Sequence, residues 1–212
     1  MFDKIKNGFT LSEVLITLVI IGVVAALTIP TAINRMQREE LRSQFKKAVS
    51  TTSQVIQKMK ADYGDIIFDS VNDSELDFRN KFIKYISVTC KENCLDKSKY
   101  RNYANFENDG ELINYQLKNC ITAQDGIIYC FYKGISTTYY INFDINGDKN
   151  PNRWGYDVFT FYIDKSDQIL KPVTLEKPLR NTFYCNNSSA THNGAACAEK
   201  AISDPNYFKN LP

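Results

Sequence analysis

The chain has 212 residues, of which 43% are hydrophobic and 24% charged, and its formal net charge is +2. So small an excess leaves no overall basic field to attract nucleic acid. The length gives room for one compact domain with its own core, and no repeat or low-complexity segment interrupts it.

The first segment, MFDKIKNG, is polar and sets Lys4 and Lys6 against Asp3. Residues 9–34 follow as FTLSEVLITLVIIGVVAALTIPTAIN, in which Glu13 alone is ionisable. At about 1.5 Å of rise per residue, the uncharged run 14–29 nearly crosses a hydrocarbon core of about 30 Å, and counting from Phe9 makes it long enough. A carboxylate costs roughly 2.5–3.5 kcal/mol at the centre of such a helix and less near its end. Glu13 is therefore a functional candidate that needs a partner. A secretory signal carries a small-residue cleavage site after its apolar core. Here no A-x-A-like site precedes Pro30, and the small residue, Gly8, stands before the core. Cleavage after Gly8 would discard the charged leader, keep the helix and leave a new α-amino group on Phe9. That amine is poorly placed for the Glu13 of its own helix and better placed for the Glu13 of a neighbouring subunit.

The string Gly8-Phe9-Thr10-Leu11-Ser12-Glu13 with its apolar run resembles the class III signal of type IV pilins and type II secretion pseudopilins, over roughly the first quarter of the chain. The resemblance implies that a prepilin peptidase cuts after Gly8 and methylates the amine of Phe9. It also implies that Glu13 acts in assembly and that Pro30 is the proline found partway along the family's long N-terminal helix. The fold it implies is α+β, with a long N-terminal helix packed on an antiparallel β-sheet head. The expected divisions are a leader at 1–8, a transmembrane and assembly helix at 9–33, an amphipathic continuation at 34–62 and a globular head at 63–212. Lys4 and Lys6 favour a cytoplasmic N-terminus. The six cysteines of the head suit an oxidising compartment outside the membrane.

Beyond the apolar run, Leu41, Phe45, Ala48, Val49, Val55, Ile56 and Met59, with Thr52 filling the gap, form one helical stripe that predicts packing on the head. Arg42, Lys46, Lys47, Gln54 and Lys58 take the other face. Pro30 removes one helical hydrogen bond and predicts a kink or a local melting point. The charged stretch 35–42 faces lipid headgroups, neighbouring subunits or water. Tyr63-Gly64-Asp65 ends the helix. Residues 75–86 show helical spacing at Leu76, Phe82, Ile83 and Ile86, and the polar stretch 90–103 reads as loop. Aromatic and β-branched alternation predicts strands over 126–132, 137–145 and 157–164, with a turn at Asp125-Gly126.

Between the last two strands runs DINGDKNPNRWGYD. Several oxygen-bearing side chains in one loop suit a hard cation such as calcium. It is not an EF-hand, because Lys149 and Gly155 stand where that motif needs glycine and glutamate. The loop is similar to one that binds calcium in some major pseudopilins. Residue by residue, that implies Asp148 and Asp157 as leading ligands, with Asp144 and Asn146 behind them. The competing reading is a structural turn punctuated by Asn146-Gly147, Pro151 and Gly155. Trp154 reads as a packing residue.

Sequence proximity favours the disulfides Cys90–Cys94, Cys120–Cys130 and Cys185–Cys197 among the many pairings that six cysteines allow. The last would close a loop like the C-terminal disulfide loop of many pilins. A zinc site is the alternative, from the C-x-x-x-C spacing of Cys90 and Cys94 and from His192 between Cys185 and Cys197, but an oxidising location disfavours it. His192 reads as a solvated loop residue, and no nucleophile, phosphate-loop or metalloprotease pattern appears, so no enzyme is expected.

The expected function is a structural subunit of a type IV pilus or a type II secretion pseudopilus. Its expected partners are other subunits, prepilin peptidase, the inner-membrane assembly platform and membrane lipid. Calcium is the one cofactor expected. The subunit would sit in the inner membrane as a single-pass protein and then in a filament. The alternatives are a minor pilin with a binding or adhesion role and a membrane-anchored binding protein that never polymerises.

Overall fold

The computed structural model describes residues 10–64, 66, 74–100, 116–134, 138–174, 184–186 and 192–211. The chain divides into two compact units, Met1–Glu39 and Glu40–Pro212. One helix, α1 (Leu11–Tyr63), begins in the first and ends in the second. It closes where Gly64, at φ +73°, donates its backbone N–H to the Lys60 carbonyl at 2.9 Å. Glycine takes this left-handed turn without a side-chain clash.

In the head unit, α1 buries Phe45, Ala48, Thr52, Val55, Ile56 and Met59, one stripe at helical spacing. Thr52 is tolerated there because its hydroxyl donates to the Ala48 carbonyl at 2.8 Å. A second helix, α2 (Glu75–Phe82), starts on a capping box in which Ser74 and Asp77 satisfy each other's backbone N–H groups. It stops earlier than the 75–86 spacing predicts, and turns carry the chain to the sheet.

The sheet is a six-stranded antiparallel meander in the order β1 (Val88–Cys90), β2 (Ile121–Ala123), β3 (Ile128–Lys133), β4 (Tyr139–Asp144), β5 (Val158–Ile163) and β6 (Leu170–Pro172). Successive side chains along a strand point to opposite faces. Tyr129, Phe131, Ile141, Phe143, Phe159 and Phe161 therefore share one face and form a core with the α1 stripe, α2 and the C-terminal segment. That segment holds α3 (Cys197–Ser203) and a 3-10 turn, Tyr207–Asn210. Ile128, Cys130, Tyr140, Val158 and Tyr162 share the other face with Tyr100, Trp154 and Val173. Both faces of β4 and β5 are thus buried, and every residue of both strands is inside.

The polar residues on the second face have partners. The Thr160 hydroxyl donates to Asn142 Oδ1 at 2.7 Å, Trp154 Nε1 donates to Thr160 Oγ1 at 3.2 Å, and Asn142 Nδ2 donates to the Gln116 carbonyl at 2.7 Å. This lowers the cost of burying polar groups between apolar layers. Trp154 is fully buried in this packing.

Phe45 joins helix to sheet. Its ring centroid lies 4.6 Å from that of Phe159 and 5.5 Å from that of Phe208. Replacing it with alanine removes a large aromatic from a closed site and should cost about 3–5 kcal/mol. The F45A protein should melt well below the parent by circular dichroism in detergent. An unchanged melting temperature would mean that α1 contributes little to the head's core.

Candidate functional site

The chemistry singled out by the sequence falls at the start of α1 and in the loop from β4 to β5. At the first, the Thr10 backbone N–H and hydroxyl donate to Glu13 Oε2 at 2.8 and 2.9 Å. The Glu13 N–H in turn donates to Thr10 Oγ1 at 3.2 Å. This is a capping box, in which the carboxylate closes on the positive end of its own helix. Its Thr-x-x-Glu spacing is in the sequence, and it gives Glu13 partners within its own chain besides the neighbouring subunit expected for it. Gly8 and Phe9 lie outside the described residues.

Pro30 sits inside α1 without ending it. Its ring nitrogen cannot donate back along the helix. The hydroxyls of Thr17 and Thr28 donate to the carbonyls of Val14 and Val24, both at 2.9 Å, so their polarity is spent within the helix. Leu11 is 79% exposed, Leu27 73% and Met36 72%. This helix is long and apolar enough to cross a membrane.

In the second place, Asp144 ends β4 on the face that carries Tyr140 and Asn142, and it is buried. The Tyr100 hydroxyl donates to its Oδ2 at 2.5 Å. Oδ1 accepts no well-formed hydrogen bond, although the amides of Asn146 and Gly147 lie nearby. Asn146 Oδ1 is also buried without a donor. Asp157 precedes β5 and accepts the backbone N–H groups of Asn152 at 2.9 Å and Arg153 at 2.6 Å. The Asn152 amide faces two carbonyls and, with its nitrogen turned towards them, donates to Gly147 at 3.2 Å and Lys149 at 3.0 Å.

Burial raises the pKa of Asp144 well above the usual carboxylate range, and the charge of Asp157 adds to the shift. Burial likewise pushes Asp157 up to about 6, against the hydrogen bonds from Arg153 and Asn152. Asp148 is placed otherwise. It is exposed and ion-paired with Lys99 at 2.8 Å, so Asp144, Asn146 and Asp157 gather without it. Among the described residues no group of three or more His, Cys, Asp or Glu side chains converges as a metal cluster. Two orphaned oxygens beside two buried carboxylates fit a hard cation in donor chemistry, with amide and carbonyl oxygens filling the set.

Gly147 also holds this loop close to the Asp125-Gly126 turn. A Cβ built on it would fall 2.6 Å from the Gly126 carbonyl oxygen, and its φ is +69°. Only glycine fits there. On the far side of that turn, Lys47 pairs with Asp125 at 2.8 Å.

The cysteines form the disulfides Cys90–Cys94, Cys120–Cys130 and Cys185–Cys197, and none is free. The thiolates that a zinc site at Cys90, Cys94 or His192 would use are therefore consumed.

The prokaryotic N-terminal methylation motif matches residues 3–29. This is the class III prepilin signal of type IV pilins and pseudopilins, and it spans the apolar start of α1 with Gly8, Phe9 and Glu13. No curated protein and no solved structure matches the chain. The motif points to a structural protein rather than an enzyme, and with the exposed apolar helix it fits a membrane-anchored chain.

The buried pair makes a pH prediction. Raised carboxylate pKa values mean that the folded head binds more protons than the unfolded chain between about pH 4 and pH 6. Their contribution to stability is therefore present at the acid end and lost as pH rises through that window. With chelator present, D157N should flatten this part of the melting-temperature profile. A profile identical to the parent's would show that Asp157 keeps an ordinary pKa.

Proposed function

We propose that the chain is a structural subunit of a type IV pilus or a type II secretion pseudopilus. It is made as a prepilin, cut after Gly8, methylated on Phe9 and held by α1 in the inner membrane with its head outside the cytoplasm. The observation that carries this reading is the methylation motif laid over a helix whose apolar side chains are uncovered. During assembly that surface passes from lipid to the helices of other subunits, so the same apolar atoms stay out of water in both states. Glu13 leaves its cap on Thr10 to meet the Phe9 amine of a neighbour, which removes a charge from an apolar bundle. The peptidase, the assembly platform and sibling subunits are its partners.

The test is the N-terminal mass of the protein recovered from its native membrane. A chain beginning at methylated Phe9 supports the reading. A chain beginning at Met1 in cells with active prepilin peptidase overturns it and leaves a membrane-anchored binding protein. E13A should still be inserted and processed yet enter filaments at least about tenfold less, and normal filament incorporation would remove Glu13 from the mechanism.

The β4–β5 loop supports a second element of the proposal, bound calcium. Asp144, Asn146 and Asp157 would hold the ion, which would neutralise the buried pair and tie the ends of β4 and β5 together. Millimolar calcium should raise the melting temperature of the parent at pH 7 by several degrees. D144N should lose the calcium response. An equal response in D144N would show that calcium acts elsewhere.

A further inference from the structure

Tyr100 reaches the β4–β5 loop from a distant stretch of the chain. A 3-10 turn, Lys97–Lys99, precedes it and is capped by Asp96, whose Oδ1 accepts the Ser98 backbone N–H at 3.1 Å and the Ser98 hydroxyl at 2.7 Å. The turn closes where the Tyr100 N–H donates to the Lys97 carbonyl at 3.2 Å. Two neighbouring residues then grip the loop at two points. On the outside, Lys99 Nζ donates to both carboxylate oxygens of Asp148, at 2.9 and 2.8 Å. On the inside, the Tyr100 hydroxyl donates to Asp144 Oδ2 at 2.5 Å. The Tyr100 ring is fully buried and stands edge-on to Trp154, with centroids 6.2 Å apart. Turn, ion pair and ring contact together aim the hydroxyl.

Packing does not account for that hydroxyl, because phenylalanine would fill the same space in the apolar cluster. What it does is separate the two oxygens of Asp144. Oδ2 is taken by Tyr100, while Oδ1 is buried without a well-formed partner. A carboxylate free to turn could offer either oxygen or both. Held at Oδ2, Asp144 has Oδ1 to offer. Asp157 is held as well, its Oδ1 by the Arg153 N–H at 2.6 Å and its Oδ2 by the Asn152 N–H at 2.9 Å. Both buried carboxylates are therefore tied to donors within the head.

Such ties bear on which cation the loop accepts. Oxygen ligands sit about 2.3–2.6 Å from calcium but about 2.0–2.1 Å from magnesium, which also demands a near-ideal octahedron. Carboxylates that cannot swing inwards penalise the smaller ion. Groups that orient a metal ligand from behind are worth about 10–100-fold in affinity.

We propose that Tyr100 is a positioning residue of the calcium site put forward above, a reading on which this assignment rests. Its hydroxyl holds Asp144 by Oδ2, reserves Oδ1 for the ion and keeps the carboxylate from closing on magnesium.

The test is calorimetric titration of the full chain, disulfides intact, in detergent micelles with calcium chloride and, separately, magnesium chloride. The proteins are the parent, Y100F and Y129F, the last because Tyr129 is fully buried on the other face of the sheet. Y100F should bind calcium at least about tenfold more weakly than the parent. Its preference for calcium over magnesium should shrink, because Asp144 is released to follow the smaller ion. Y129F should match the parent on both counts. In chelator, the near-ultraviolet circular dichroism of Y100F should match the parent's, because the ring remains. Unchanged calcium affinity in Y100F, an equal loss for both ions, an equal loss in Y129F or an altered spectrum in chelator would each overturn the role of Tyr100 and leave the calcium reading standing. A parent that binds no calcium would overturn both.

Discussion

Apolar surface has to be covered, and this chain covers it in two ways along one helix. From Phe45 to Met59 the covering surface is the chain's own sheet, through the aromatic residues of β3 to β5. From Leu11 to Met36 its own chain supplies almost none, and the side chains stand in the open. Burial is worth roughly 25 cal/mol per Å² of apolar surface, so a bare stretch of this length is not stable in water. A lipid bilayer would supply the missing cover. The division of the chain at Glu39 and Glu40 marks where self-sufficient packing begins.

What the sequence made legible follows from period and length. The α1 stripe and the strands β3 to β5 repeat long enough for a 3.6- or 2-residue rhythm to stand out. Strands β1, β2 and β6 have three residues each, too few to show alternation, and α3 is a short CAEKAIS segment with no clear stripe. These were missed. The disulfides pair close sequence neighbours, which is why proximity pointed to the same pairs.

The loop shows a different limit. Its oxygen-bearing residues could be read, but not which of them face inwards. Asp144 ends a strand and inherits the inward parity of Tyr140 and Asn142, whereas Asp148 lies past the turn and reaches outwards to Lys99. The partner of Asp144, Tyr100, comes from a stretch that reads only as polar loop. Arg79 is hidden for a related reason. An arginine in the string ELDFRNKF looks like an ordinary surface charge, and its burial depends on a loop bent back on it by the Cys90–Cys94 bond.

The sheet has blunt margins. Its outermost strands, β1 and β6, are three residues long, and β6 ends in Pro172, which has no N–H to offer. A long bare edge would recruit another chain by strand addition wherever copies are crowded, as they are in a membrane patch or along a fibre. Short margins give such a chain little ladder to extend. In the assembly proposed above, heads could then be packed at high density without fusing their sheets, which would leave the N-terminal helices as the surface through which copies recognise each other.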